Sequence, residues 1–168
     1  MLSAMAAAPV LPACGLYRTV APIAGVPAAR LVYFHNHGDP GAGVYFPERW
    51  THNRAHFSPK GTTLPAGFDV NALKPLPREG FYRVAAPFFC CAKKCVRFEN
   101  EAMVQLGYNG AGQALLFAPE MVGGAISVPE RGTLIDDSEL QNLVGLTVRE
   151  SATQTGNLGT FPRGIIVH

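Results

Sequence analysis

The strongest constraint in this sequence is a repeated motif. Residues 15–22 read GLYRTVAP, and residues 80–87 read GFYRVAAP. Four further short matches follow in the same order, among them Phe46 with Phe117 and Gly61 with Gly132. The spacing between matched residues drifts only from 65 to 72 positions, as small insertions would produce. Ordered matches of this kind predict an internal duplication, in which two copies of one small folding unit stand in tandem.

Each copy carries the sequence pattern of β-structure. Short runs of β-branched and aromatic residues alternate with turns, which accounts for 18 glycines and 14 prolines among 168 residues. The segment 108–112 (YNGAG) separates two such runs and predicts a hairpin rather than a phosphate-binding loop, because no helix pattern follows it. Near the end of the second copy, a spacing of three residues predicts one or two helical turns at Leu140, Leu143 and Leu146.

We therefore predict an all-β fold with two tandem, internally duplicated lobes, each a small β-barrel or β-sandwich with short helical turns. The lobes are expected at residues 14–79 and 80–150. Residues 1–13 are expected to form an apolar N-terminal arm, and residues 151–168 a polar linker and a C-terminal strand arm over residues 164–167. Because an isolated strand is unstable, this arm must pair with a sheet edge of its own chain or of a neighbour.

The N-terminal arm bears on the expected compartment. Its apolar stretch is too short to span a bilayer and contains Pro9 and Pro12, so no membrane span is predicted. The default prediction is a cytoplasmic protein. The alternative is a lipoprotein, because residues 11–14 (LPAC) are similar to a lipoprotein cleavage box, although no basic region precedes them.

The charge balance bears on partners. Fourteen basic and twelve acidic residues give a net charge of +2, so no nucleic-acid partner is expected. Charged residues make up only 15% of the chain, and arginines outnumber lysines ten to four. Protein interfaces are depleted in lysine and enriched in arginine, so this composition favours self-association or contact with other protein subunits. A GC-rich genome would produce the same bias and is the alternative explanation.

The two copies differ in their histidines. Four of the five lie in the first copy, where His35 and His37 end a predicted strand and, two residues apart, project from one face. His52 and His56 are four residues apart and would share a face if that segment were helical. Together with Asp39, these imidazoles predict a zinc site or, with an open coordination position, a metal-dependent hydrolase. The alternative is that they are ordinary loop and interface histidines.

The two copies differ in their cysteines as well. Cys90, Cys91 and Cys95 lie in the second copy, whereas Cys14 lies at the start of the first, just before Gly15. A second metal site or a redox cluster made of all four requires the lobes to pack so that the cysteines meet. Two neighbouring lysines are expected to lower a thiol pKa. The alternatives are a disulfide and plain buried cysteines.

The leading functional prediction is a non-enzymatic structural or assembly protein, a subunit of a homo-oligomer or larger particle built through the β-lobes and terminal arms. One alternative is a zinc-binding module or a metal-dependent hydrolase that uses the histidines of the first lobe. A second alternative is a ligand- or peptide-binding module with the cleft between the lobes as its site. No cofactor other than zinc is expected. Whether the chain is an enzyme is left open, with a non-enzymatic role favoured.

Overall fold

A computed structural model describes residues 10–38 and 41–151 of the chain. Within these ranges the regular structure consists of short strands and two 3₁₀ helices, Val70–Ala72 and Asp137–Asn142. The strands are β1 (Gly15–Thr19), β2 (Leu31–His35), β3 (Gly43–Thr51), β4 (Arg54–Thr63), β5 (Leu73–Pro75), β6 (Gly80–Val84), β7 (Phe88–Phe89), β8 (Arg97–Phe98), β9 (Met103–Tyr108), β10 (Ala114–Phe117), β11 (Glu120–Val122), β12 (Ala125–Ser127), β13 (Thr133–Leu134) and β14 (Leu143–Gly145).

Ten of these strands form two antiparallel sheets of five. The first sheet has the order β4-β3-β2-β1-β5, and the second has the order β13-β10-β9-β6-β14. The two orders are equivalent. In the first sheet β1 lies between β2 and β5, and in the second sheet β6 lies between β9 and β14. A 3₁₀ helix immediately precedes β5 and another immediately precedes β14. The pairs β7–β8 and β11–β12 are additional to the second sheet. The prediction of an all-β fold with two lobes and short helical turns is confirmed.

The strand registers of the two sheets also match. Arg18 in β1 lies opposite Leu31 in β2, and Arg83 in β6 lies opposite Met103 in β9. The two copies of the repeated motif therefore occupy the same place in the two sheets. That the lobes arose by duplication of one ancestral unit stays a prediction.

The strand registers correct the match that the sequence makes between Phe46 and Phe117. Tyr45 lies opposite Gly61, and a Cβ added to this glycine would lie 2.8 Å from the tyrosine ring. Phe117 covers Gly132 in the same way, with ring carbons 2.9 Å from the place of a Cβ. The counterpart of Phe117 is therefore Tyr45 rather than Phe46. Each glycine is needed because an aromatic ring fills the space of its side chain.

The lobes pack against each other. The first lobe has a core of its own around Phe34, whereas the core of the second lobe incorporates Leu31 and Ala55 from the first. The hairpin formed by β3 and β4 packs on β9, where the indole Nε1 of Trp50 donates a hydrogen bond to the carbonyl of Tyr108 at 2.8 Å. The interface between the lobes is thus partly apolar core and partly hydrogen-bonded backbone.

The arms predicted at the two termini fall mostly outside the described residues. Residues 10–13 lead into β1 without regular secondary structure. The remainder of the N-terminal arm and the C-terminal strand predicted at residues 164–167 lie outside the described residues. Within residues 10–38 and 41–151, no helix has both the length and the apolar character needed to cross a membrane.

Candidate metal centre

The antiparallel pairing of β1 and β2 brings Cys14 next to His35. Gly15 begins β1 and lies opposite Phe34. The residue before this glycine is therefore adjacent to the residue after this phenylalanine. His37 lies two residues beyond the end of β2, and its imidazole is beside that of His35. The centroids of the two imidazole rings are 3.8 Å apart.

Three side chains converge at this point, and we call Cys14, His35 and His37 the Cys–His–His group. The Sγ of Cys14 lies 3.2 Å from Nδ1 of His35 and 3.6 Å from Nδ1 of His37. All three ligand atoms lie within 4.8 Å of one another. A tetrahedral zinc ion with bonds of about 2.3 Å to sulfur and about 2.0 Å to nitrogen holds these atoms about 3.6 Å apart. The group therefore needs little rearrangement to bind an ion.

Asn36, between the two histidines, holds the cysteine in place. Its backbone N–H donates to Sγ of Cys14 at 3.3 Å, and its side-chain Nδ2 donates to the carbonyl of Pro12 at 3.0 Å. The thiolate is the form of cysteine that binds metals. The Oδ1 of Asn36 accepts from the Cys14 thiol at 3.2 Å and from His37 Nδ1 at 2.8 Å. A metal ion would replace these two protons.

Burial sets the protonation state of His35. This residue is 8% exposed. Desolvation, together with the neighbouring imidazole of His37, lowers the pKa of His35. The imidazole is therefore neutral near pH 7 and can offer a nitrogen lone pair to a metal. Cys14 is half-buried and His37 is exposed, so the group is reached from solvent on the side of His37.

The other residues of the predicted histidine site lie elsewhere. His52 occupies the turn between β3 and β4, and His56 lies on β4, so this segment is a hairpin rather than a helix. Both line a cleft of about 950 Å³ between this hairpin and the second lobe, and neither belongs to the Cys–His–His group. Asp39 lies outside the described residues. The cleft is the inter-lobe site that a ligand-binding module would use, and that alternative stays a prediction.

The structure divides the four cysteines between two places. Cys14 belongs to the Cys–His–His group, whereas Cys90, Cys91 and Cys95 form a second cluster in the loop between β7 and β8. All four thiols are free. The pKa of Cys91 is lowered, chiefly by a hydrogen bond from the backbone N–H of Lys93. The main cause is thus a backbone amide and not the lysine side-chain charge that the sequence suggests.

Sequence reasoning missed the role of Asn36 and the pairing of Cys14 with the histidines. The two partners Cys14 and His35 are 21 residues apart, so no local spacing pattern connects them. The repeated motif does contain a signal, because it marks where the first strand of each lobe begins. The register between that strand and the next, which the motif does not define, decides which residue faces His35.

Together, the fold and the site define a class of protein: a two-lobed all-β chain with a cysteine–histidine group where its first strand begins and its second ends. In comparisons with known proteins, the chain matches no protein-family model, no curated protein and no solved structure. The functional argument therefore rests on the geometry of the site and on its chemistry.

Proposed function

We propose that this protein binds a transition-metal ion through the Cys–His–His group. The observation that carries the proposal is the convergence of one thiol and two imidazole nitrogens at sulfur–nitrogen distances of 3.2 and 3.6 Å. Thiolate and imidazole ligands suit zinc and copper, whereas magnesium and calcium require oxygen ligands. We expect zinc first, because its tetrahedral geometry agrees with these distances.

Three protein ligands leave one position of a tetrahedral ion free. Structural zinc sites are normally closed by four protein ligands, whereas sites with three keep a position for water or another molecule. The free position would face the solvent-exposed side of the group, at His37. The proposed function is therefore a metal-binding module whose ion can accept a further ligand from a small molecule or a partner.

The second lobe supports a functional rather than a structural role for these three residues. In that lobe, the positions equivalent to the Cys–His–His group hold Glu79, Gly107 and Asn109. The same sheet is thus built there without any thiol or imidazole. Because the fold does not need these residue types, a requirement other than folding is the better explanation for their presence in the first lobe.

The metal content of protein purified without chelators tests the proposal. We expect about one equivalent of zinc per chain, retained in His52→Ala and His56→Ala, which change histidines of the same lobe outside the group. Cys14→Ala and His37→Ala should lose the zinc. Loss of an outer-shell partner already lowers metal affinity about 10–100-fold, and loss of a ligand lowers it further. Less than about 0.2 equivalents of any transition metal in the unaltered protein contradicts the proposal, and so does equal content in all four variants.

A second observation favours the assembly role that the composition predicts. In the β11–β12 hairpin, Met121 is 68% exposed, Val122 59% and Ile126 62%. Met121 lies opposite Ile126, so their side chains share one face. An exposed apolar patch of this kind marks a contact site. We propose that the β11–β12 hairpin of a second copy covers this patch. A two-fold axis would bring the same patch of both chains into contact and would pair the outer edges of the two hairpins.

Light scattering of the full chain at micromolar concentration tests this second candidate. We expect a dimer or larger oligomer, and a shift to monomer when Met121→Lys and Ile126→Lys are combined. Val20→Lys places the same charge at an exposed apolar residue away from the hairpin and is the matched control. An unaltered protein that is already monomeric removes the assembly proposal. It leaves the metal proposal standing, because metal content is measured separately.

A further inference from the structure

The loop between β7 and β8 is an addition to the second lobe. Residues 20–30 connect the first strand to the second in the first lobe, and the equivalent connection in the second lobe, residues 85–102, is seven residues longer. The shorter connection turns tightly where Ile23 and Val26 pair. The fold therefore closes this turn without the additional residues. In the second lobe the longer connection carries three of the four cysteines of the chain.

Backbone hydrogen bonds hold this loop closed. The N–H of Cys90 donates to the carbonyl of Val96 at 2.9 Å, and the N–H of Val96 donates back to Sγ of Cys90 at 3.3 Å. The N–H of Lys94 donates to the carbonyl of Cys91 at 2.9 Å. Lys94 has a φ of 54°, in the left-handed region that few residues other than glycine adopt. This turn brings Cys95 back beside Cys91.

The three sulfur atoms are close enough to share one ion. Sγ of Cys90 lies 3.6 Å from Sγ of Cys91, and the sulfur of Cys95 is within 4.8 Å of both. Two thiolates on one metal ion, with bonds of about 2.3 Å, lie about 3.8 Å apart. Cys90 is buried, Cys91 is half-buried and Cys95 is exposed. An ion can therefore enter from the solvent side, past Cys95.

Two positively charged side chains lie over Phe89, the residue before Cys90. The Nζ of Lys94 and the guanidinium of Arg97 are 5.4 and 5.5 Å from the centre of the Phe89 ring. Three thiolates and one monovalent cation carry a net charge of −2, and these two side chains offset it. The loop thus combines three soft ligands with compensating charge.

We propose that Cys90, Cys91 and Cys95 bind one thiophilic metal ion, with Cu⁺ as the ion that fits best. All three ligand atoms are sulfur, and soft thiolate ligands select Cu⁺ and zinc over harder ions. Three sulfurs complete a trigonal Cu⁺ site, whereas zinc would remain one ligand short of a closed structural site. This site is separate from the Cys–His–His group and does not depend on it.

Anaerobic titration of the full-length, thiol-reduced protein with Cu⁺, in competition with a chromogenic Cu⁺ chelator, tests the proposal. A Cys14→Ala, His37→Ala background removes the other candidate site. We expect this background to bind one Cu⁺ per chain, and an added Cys91→Ala or Cys95→Ala to weaken binding at least about tenfold. Ala92→Ser is the matched control, because it changes an exposed residue of the same loop that supplies no ligand.

Two results overturn the proposal. One is a background protein that takes up no Cu⁺ from the chelator. The other is equal affinity in the Cys95→Ala and Ala92→Ser proteins, which would show that the sulfur is not a ligand. Cys95 is exposed, so its replacement leaves no cavity and the variant should keep its fold, as circular dichroism can verify. Neither result affects the Cys–His–His proposal, because the zinc content of a Cys91→Ala single variant, which keeps Cys14, His35 and His37, measures that site alone.

Discussion

Glu79 is the most informative position at which to perturb the lobe interface. Its carboxylate is 8% exposed, and both of its oxygens accept from the N–H of Ala55, at 3.2 and 3.1 Å. The hydrogen bond joins the residue that immediately precedes β6 of the second lobe to β4 of the first. Burial raises the pKa of Glu79 from 4.5 to about 7, although this hydrogen bond and the charge of Arg54 oppose the shift. Desolvation therefore outweighs the favourable contacts of the charged form.

This raised pKa makes the stability of the protein depend on pH. Between pH 4.5 and about 7, the folded chain keeps a proton on Glu79 that the unfolded chain releases. The folded state binds more protons in this window, so the free energy of unfolding falls as pH rises through it. At about 1.4 kcal/mol per pH unit, the full effect is about 3 kcal/mol, reached above pH 7.

Urea unfolding of the Glu79→Gln variant between pH 5 and pH 8 measures this effect. Glutamine keeps an acceptor for the Ala55 N–H but cannot ionise, so the variant should gain about 2–3 kcal/mol relative to the unaltered protein across this range. Burial is the chief cause of the lowered pKa values of His35 and His56, so these two residues make the free energy of unfolding decrease as pH falls. Both proteins share that contribution, and the difference between them isolates Glu79.

The control for this experiment is Glu48→Gln, which changes an exposed carboxylate on β3. We expect its free energy of unfolding to follow that of the unaltered protein at every pH. If the difference between Glu79→Gln and the unaltered protein is constant from pH 5 to pH 8, burial of Glu79 does not govern the pH dependence and the reasoning is refuted.

Two other contacts give predictions. The Arg18 hydrogen bond lowers the pKa of Asp137 to about 2, so this ion pair adds stability above pH 3.8 that is lost as pH falls through about 2. Because Asp137 is partly exposed, Asp137→Asn should lower the free energy of unfolding in urea by only about 1 kcal/mol at pH 7. A larger difference between variant and unaltered protein at pH 2 than at pH 7 would contradict this reasoning. A Cβ at Gly107 would lie 2.6 Å from the carbonyl oxygen of Asn53, whereas one at Gly110 would be 3.8 Å from its nearest neighbour. Gly107→Ala should therefore cost about 2–3 kcal/mol and Gly110→Ala less than about 0.5 in thermal unfolding, and equal costs would refute the packing argument.

The fold was predictable because its signals are local. The repeated motif marks the first strand of each lobe, and the hairpin between β9 and β10 follows from its turn residues. There Oδ1 of Asn109 accepts from the N–H groups of Ala111 and Gln113, which is the local bonding that makes asparagine favourable in turns. The spacing of the leucines likewise predicts a helical turn here, but only Leu140 lies in the 3₁₀ helix Asp137–Asn142, because Leu143 already begins β14 and Leu146 follows that strand. Each of these features depends on neighbours within a few residues.

The candidate site was predictable only in part, because its third ligand depends on a long-range register. Strand alternation predicts that His35 and His37 share a face, and their rings do lie together, although β2 ends at His35. Cys14 joins them only because β1 pairs with β2 in one particular register, which no short motif encodes. Helical spacing predicts that His52 and His56 join them, but this segment is a hairpin turn, so the spacing rule does not apply.

The packing between the lobes explains why this group can form in the first lobe alone. Gly107 occupies the position equivalent to His35, and the carbonyl oxygen of Asn53, from the β3–β4 hairpin, takes the space that a side chain would need. Glu79, equivalent to Cys14, is likewise committed to the interface through its hydrogen bond to the first lobe. The hairpin of the first lobe thus covers the positions in the second sheet that are equivalent to the candidate ligands Cys14 and His35 of the first sheet. Two sheets of the same topology therefore acquire different chemistry because one lobe covers the other, and a metal ion bound to the first lobe would not compete with the interface.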